Sequence, residues 1–344
     1  MSDPIRIGIV GAGRIVRAEH VPRFRSIAGV ELAGVANRDL ESSRRAAAEL
    51  GLPRAYRDWR ELLDDPAIDA VLIGAWPVLH RPVSVGALEA GKHVLTEARM
   101  AATADDARAM VTAARSRPDL VAMVVPASFS FWADRTIRRL IDAGIVGRIR
   151  HVQARWDASG PGDPGDFWRW QRSASGQNVM ALGILAEAMT RWLGQPRSVT
   201  AATSPGPPTR PGPDGPVAAD VPDHVAALVD YPDAVTAVIE MSARTNGVDH
   251  DRVAFHGTAG SILVDLTAQA IELVGQDGER APIVIEPADR DEWTAEIDFV
   301  AAIRGERPVT RTDFETGLGY MAFLEAVERS AAGGCRVVIE GGAP

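Results

Sequence analysis

The sequence predicts an α/β domain built on a parallel, doubly wound sheet, followed by an α+β domain with a mostly antiparallel open sheet. Three observations carry this. A chain of 344 residues, 46% hydrophobic, is too long for one ordinary core and fits two domains. Its first third alternates short apolar runs with amphipathic stretches, as β-α-β units do. After Phe131 the alternation gives way to successive strand-like runs separated by turn residues, the pattern of an antiparallel sheet carrying helices on one face.

Ile5–Val10 is an apolar run that opens directly into Gly11-Ala12-Gly13, after which the pattern turns helical. Further strands are expected at Val30–Ala36, Ala70–Ile73, His93–Thr96 and Val121–Val125, and helices at Asp39–Leu50, Arg57–Leu63, Val83–Ala90 and Ala104–Arg115. These place the first domain at residues 1–123 and the second at 124–344. The second should hold a helix near Arg135–Ala143, a strand Ile149–Trp156, a loop rich in Gly, Pro and Asp, and a helix beginning near Gly176. Strand-like runs follow at Ser198–Thr203, His224–Tyr231, Val235–Arg244, Arg252–Gly257, Ser261–Leu266 and Ala270–Val274. Helices Trp293–Arg304 and Phe314–Ala332 precede a last strand near Arg336–Ile339. Between them Thr203–Val217 holds six prolines and three glycines, which predicts an exposed connection between strands, or a lid or partner arm.

A net charge of −9 argues against nucleic acid and anionic membranes as partners, since both need basic surface. Cys335 stands alone, which excludes an intrachain disulfide and a cysteine metal cluster and suits a reducing cytosol. No apolar segment reaches the length of a membrane span. A cytoplasmic protein with a small-molecule partner is the expectation. His20, His151, His224, His250 and His256 show no metal-site spacing, so no metal is expected.

Gly11-Ala12-Gly13 lies between a strand and a helix, the context of a Rossmann dinucleotide fingerprint. There glycines let the backbone approach a pyrophosphate, and the first helical amides attract its charge, which makes Gly11, Gly13, Arg14 and Ile15 candidate cofactor contacts. The third small residue of the usual pattern is Val16 here, which should widen helix–strand packing slightly. An acidic residue at the end of the second strand normally binds the adenosine ribose diol and repels a 2′-phosphate. This chain has Asn37-Arg38 instead, so NADP is expected in preference to NAD, with Arg44 and Arg45 as further candidates or simply solvated helix charges. The third predicted strand leads into Gly74-Ala75-Trp76-Pro77-Val78-Leu79-His80. Ala75 and Trp76 would then lie against the ribose or nicotinamide, unless Trp76 is core; His80 either packs and caps or joins the chemistry.

Gly91-Lys92-His93-Val94-Leu95-Thr96-Glu97-Ala98-Arg99-Met100 and Ser175-Gly176-Gln177-Asn178-Val179-Met180-Ala181-Leu182-Gly183-Ile184-Leu185 resemble the two signatures of the glucose-fructose oxidoreductase / inositol dehydrogenase (Gfo/Idh/MocA) family. Asp64–Val71 and Phe299–Pro308 resemble other parts of it, so the likeness spans almost the whole chain. It implies a Rossmann domain with a second sheet domain, a nicotinamide dinucleotide, and hydride transfer on a sugar hydroxyl assisted by lysine, aspartate and histidine. In this chain the lysine of the family's Glu-Lys-Pro, which sits beside the nicotinamide, is Ala98, after Glu97, and the proline is Arg99, so the resemblance implies that Glu97 and Ala98 touch the cofactor. Aligning Leu182-Gly183-Ile184 puts Ala181 at the aspartate and Leu185 at the histidine, so all three acid/base positions are apolar.

Lost proton transfer of this kind is worth about 10² to 10⁴ in rate. Arg99 cannot replace lysine as an acid, because guanidinium stays protonated, but it could stabilise an oxyanion or hold a carboxylate. On a helix starting near Gly176, at about 100° per residue, Gln177 and Asn178 would fall near the face of Ala181 and Leu185 and either orient substrate or cap the helix. Glu187 is rotated away and should pair with Arg191 at i,i+4. Trp168-Arg169, beside Phe167 and Trp170, resembles a Trp-Arg pair that some family members direct at the cofactor or substrate; structural packing is the other reading. The expected function is hydride transfer on a small carbonyl, imine or hydroxyl compound. A non-catalytic NADP(H)-binding protein and a lyase or hydrolase that oxidises its substrate transiently are the rivals. A homodimer or homotetramer is expected through the uncovered face of the second sheet.

Overall fold

The computed structural model describes residues 3–157, 164–245 and 251–339. His250 and much of the predicted Gly/Pro/Asp loop lie outside them. The chain divides into two compact units, Met1–Pro126 with Thr294–Met321, and Ala127–Trp293 with Ala322–Pro344. A single cut between residues 123 and 124 does not describe the segment Thr294–Met321, which folds with the first unit. Among the described residues no helix is long and apolar enough to cross a membrane.

The first unit carries strands β1 (Ile5–Val10), β2 (Val30–Ala36), β3 (Ala55–Tyr56), β4 (Ala70–Ile73), β5 (His93–Thr96) and β6 (Ala122–Val124). They form a six-stranded sheet in the order β3-β2-β1-β4-β5-β6, every pair parallel. Ala70–Ile73 is buried at all four positions, as a central strand covered on both faces must be. The order reverses between β1 and β4, and that reversal opens the crevice in which such sheets bind ligands. The two-residue β3 escaped prediction because it is too short to show a period. The helix Leu40–Leu50 starts at a capping box formed by Asp39 and Ser42 and ends at Gly51, whose φ of 59° only glycine adopts readily. After β1 the chain winds as a π-helix over Val16–His20 and as an α-helix over Val21–Ser26. Pro22 has no N–H and its ring crowds the preceding turn, which accounts for the wider winding there.

The second unit carries β7 (Ile149–Asp157), β8 (Ser198–Pro205), β9 (Thr209–Gly212), β10 (Gly215–Ala218), β11 (Pro222–Asp230), β12 (Thr236–Ser242), β13 (Arg252–Gly257), β14 (Gly260–Asp265), β15 (Ala270–Gly275), β16 (Arg280–Pro282) and β17 (Val337–Val338). Nine of these form one sheet in the order β16-β15-β14-β13-β7-β12-β11-β8-β17, antiparallel except for β7 beside β12. The expected mostly antiparallel open sheet is therefore present. Alternate residues of its central strands are buried, and Trp192 packs edge-on against Phe255 at 5.6 Å beneath it. The other face is mixed. Leu228 and Val238 are cross-strand partners left 48% and 41% exposed, but His151, Gln153, Arg155, Glu240 and His256 surround them. The uncovered face is thus less apolar than the pattern suggested.

Two readings need correction. Thr203–Val217 does run between strands, β8 and β11, and is mostly exposed, but it carries strands of its own: β9 and β10 pair as a hairpin with Pro211 opposite Pro216. A two-stranded ribbon has free edges, so prolines that cannot donate to a ladder are tolerated there. The hairpin is anchored by Arg210, which is buried, bonds Asp223 at 2.8 Å and lies 4.2 Å over the ring of Trp170. The helix expected from Gly176 runs instead over Leu182–Leu193. A short turn of helix, Arg172–Ser175, ends at Gly176 with φ 70°, and Met180 with φ 51° keeps the next residues out of helical conformation.

Candidate cofactor site

The residues that leave the carboxyl ends of β1, β2, β3 and β4 enclose a cleft of about 540 Å³, within the usual range for a ligand pocket. Its floor is the glycine turn. Gly11 has φ 84°, and a Cβ there would stand 2.7 Å from the backbone of Ala75, so only glycine fits. Gly13 is different: its added Cβ would meet only Gly74 O at 3.6 Å, so nothing in the protein itself demands a glycine there. Val16 is accommodated across the turn, because a Cβ on Gly74 would lie 2.2 Å from Val16 Cγ2. The missing third small residue has in effect moved to the end of β4, and the packing is not widened. A pyrophosphate-sized backbone cradle is therefore present, and the residues fit a dinucleotide.

Asn37 does not project a free amide into the cleft. Its Oδ1 accepts from Ala12 N at 2.8 Å and its Nδ2 donates to Ser42 O at 3.2 Å, so it braces the glycine turn against the start of the next helix. Arg38 is 84% exposed, its Nε 3.6 Å from Asp39. Trp76 is 41% exposed on the cleft wall, not in the core. Of the residues expected to touch cofactor, Gly11, Gly13, Asn37, Arg38, Ala75 and Trp76 line this cleft, whereas Arg14, Ile15, His80, Glu97 and Ala98 do not. Sequence reasoning missed Ser42, Asp58, Trp59 and Arg60, which also line it. The signal that could have found them is the Asp58-Trp59-Arg60 run itself, an acidic helix cap followed by an aromatic and a cation.

His80 is buried, with Nδ1 2.9 Å from Arg99 O and Nε2 3.0 Å from Ala75 O. Burial pushes its pKa down despite these carbonyls. It therefore ties the turn after β4 to the segment after β5. In that segment Arg99 is 7% exposed and donates to Ala101 O at 3.3 Å. Glu97 meets His20 Nε2 at 2.8 Å, and His20 Nδ1 lies 2.5 Å from Glu296 of the helix Ala295–Ile303. Burial opposes the charged imidazolium, but the hydrogen bonds and charges of Glu296 and Glu97 outweigh it and hold His20 up at about 9. Nothing in the sequence connects Glu296 to residues 20 and 97; the tertiary fold does.

The remaining candidates belong to the second unit. Ala181 immediately precedes the helix Leu182–Leu193, and Leu185 is 1% exposed within it, part of the hydrophobic core. Gln177 and Asn178 sit in the turn before that helix, not on its face. Asn178 is buried, donates to Ser175 Oγ at 3.0 Å, and lines a cavity of about 230 Å³ beside the ion pair of Arg172 with Glu328. Arg169 lies 4.6 Å over the ring of Trp168 and 3.4 Å from Asp166. Glu187 and Arg191 pair at 2.7 Å as the i,i+4 spacing implied, and Glu187 also accepts from Ala127 N at 3.0 Å.

Comparison with known proteins agrees with this architecture. Residues 5–124 match the model of an oxidoreductase family with an NAD-binding Rossmann fold, and residues 135–263 match the GFO/IDH/MocA C-terminal domain. Levoglucosan dehydrogenase of Pseudarthrobacter phenanthrenivorans is 30% identical over 256 residues, 67% of this chain but only 63% of that protein. A 1,5-anhydro-D-fructose reductase of Ensifer adhaerens is 29% identical over 344 residues, covering 98% of this chain and 99% of its own. The solved structure of levoglucosan dehydrogenase in complex with NADH and L-sorbose aligns with a TM-score of 0.82 over 98% of this chain and 99% of that one; at 23% identity it speaks for the fold alone. Both halves of the chain thus match one family in the same order, and the protein belongs to it: Gfo/Idh/MocA, a family of NAD(P)-dependent oxidoreductases of sugar-type compounds.

Proposed function

We propose that this protein transfers hydride between NADP(H) and a small carbonyl, imine or hydroxyl compound, sugar-derived by analogy with the reductase and dehydrogenase named above, without the family's lysine, aspartate and histidine. The observation that carries the cofactor half is the cleft around Gly11, where the turn admits no side chain and the backbone is open to a pyrophosphate. A bound nicotinamide would supply the hydride acceptor or donor. The chain's own part is to bind, orient and balance charge. NADP(H) is preferred over NAD(H) because Asn37-Arg38 offers no carboxylate to a ribose diol and presents an exposed cation in its place. Arg99, following β5, stabilises the substrate oxygen as charge develops; guanidinium cannot shuttle its proton, so water or the substrate does. We further propose a homodimer or homotetramer through the mixed face around Leu228 and Val238.

The test is a turnover screen of carbonyls, imines and polyols with NADP(H), repeated with Arg99→Ala. A loss of about 10² in turnover with unchanged NADP(H) affinity is expected, as for a contact made in the transition state. Turnover that survives the substitution would make Arg99 structural. Nucleotide binding with no turnover at all would favour the second reading, a non-catalytic NADP(H)-binding protein, for which the apolar Ala98, Ala181 and Leu185 speak.

A further inference from the structure

The wall of the cleft opposite the glycine turn comes from the exit of β3. Strands β2 and β3 are parallel neighbours with Ala36 opposite Tyr56, so both chains leave the sheet at the same edge. Neighbouring strands are about 5 Å apart. Arg38 follows from the first, and Asp58, Trp59 and Arg60 from the second; all four line the cleft with Ser42.

Asp58 is the one carboxylate among the lining residues, and one of its two oxygens is committed to the start of a helix. Its Oδ1 accepts from Arg60 N at 2.8 Å and from Glu61 N at 3.1 Å, which starts the helix Trp59–Asp64. Asn37 is likewise committed to Ala12 and Ser42. The lining carboxylate thus comes from the exit of β3 and not from the end of β2, where a ribose diol is normally held, and only its Oδ2 lies outside the helix start. Arg60, by contrast, is exposed and forms no ion pair among the described residues, while its guanidinium lies 4.2 Å over the ring of Trp59. The aromatic face fixes a cation without neutralising it. Two arginines at one end of a cleft, one stacked and one solvated, present a fork of donors that suits a phosphomonoester and a flat surface that suits a purine.

We propose that Arg60, seated on Trp59, acts with Arg38 as the receptor for the 2′-phosphate of an adenine dinucleotide, which makes Arg60 a specificity-determining residue on an element that dinucleotide fingerprints do not include. This rests on the reading of the cleft as a dinucleotide site. Because Trp59 lines the cleft, a bound adenine nucleotide would alter the surroundings of its indole, and tryptophan fluorescence would report occupancy.

The experiment uses the full chain and two nucleotide fragments, 2′,5′-ADP and 5′-ADP, titrated by tryptophan fluorescence and calorimetry. Wild type should bind 2′,5′-ADP about 30-fold or more tighter than 5′-ADP, the size expected of charge-assisted contacts to a phosphate. Arg60→Ala should cut that ratio about tenfold and leave 5′-ADP affinity within about threefold, with an unchanged circular dichroism spectrum and Tm. Arg60→Glu should abolish the preference. Equal affinities in wild type, or an unchanged ratio in Arg60→Ala, would overturn the assignment while leaving the dinucleotide reading standing. If neither fragment binds the folded protein, the dinucleotide reading itself fails, and this assignment with it.

Discussion

Replacing His20 with glutamine probes a buried charge cluster that the fold assembles from three distant parts of the chain. The imidazole is fully buried, 2.8 Å from Glu97 and 2.5 Å from Glu296, and Glu296 is itself 1% exposed. In the folded protein His20 stands at about 9 against an ordinary 6.5. At about 1.4 kcal/mol per pH unit, that elevation is worth ~3 kcal/mol of folding stability. The sign follows from linkage. Because the folded value is raised, the contribution is complete below about pH 6.5, declines as pH rises, and is gone above about pH 9. Urea unfolding followed by tryptophan fluorescence at a series of pH values between about 6 and 10 should show the midpoint falling across this window at constant m. In His20→Gln the carboxylates lose their counter-ion, which should cost about 3–5 kcal/mol near pH 6 and flatten the slope. Direct observation of the imidazole by NMR should place its titration near 9. A wild-type midpoint that does not change between about pH 6.5 and 9, or an equal slope in the variant, would refute the assignment of a charged His20.

Gly11→Ala should abolish nucleotide binding and cost on the order of 2 kcal/mol, since the left-handed φ and the Ala75 backbone both oppose a side chain; wild-type Tm and affinity in this variant would contradict the site. Asn37→Asp keeps the acceptor for Ala12 N but adds a charge, so the ratio of NADP(H) to NAD(H) affinity should drop about tenfold by titration. Light scattering at about 10 μM should show a dimer or tetramer, and Leu228→Glu should weaken it by placing a charge among exposed apolar side chains. A wild-type monomer would remove the sheet face as an interface.

Much of the fold was legible because periodicity and punctuation are local. The alternation that starts at Ile5 specified β1, β2, β4 and β5 to the residue, and Arg252–Gly257 emerged unchanged as β13. What failed was also local in appearance but decided elsewhere. The prolines of Thr203–Val217 read as a breaker, yet a ribbon with free edges holds them, and Arg210 pins it to Trp170 and Asp223. The stretch from Gly176 read as a helix start, yet Met180 adopts a positive φ and the helix begins only at Leu182.

In the cofactor cleft the division is sharper. The sequence alone determined the glycine turn, because a short strand running straight into Gly11-Ala12-Gly13 has few other uses. It also determined that Asn37-Arg38 follows β2 and that Ala98, Ala181 and Leu185 are apolar, since these are identities in the chain itself. Only the tertiary structure decided what those residues do. Asn37 braces a turn, Val16 fits because Gly74 lacks a Cβ, and Asp58, Trp59 and Arg60 reach the cleft because the two-residue β3 pairs beside β2. His20 is charged because Glu97 and Glu296 converge on it. The physical reason is range: backbone preference and hydrophobic period act over a few residues and are written in sequence order. Electrostatic partners and steric vacancies are properties of neighbours in space, and here those neighbours lie up to hundreds of residues away along the chain.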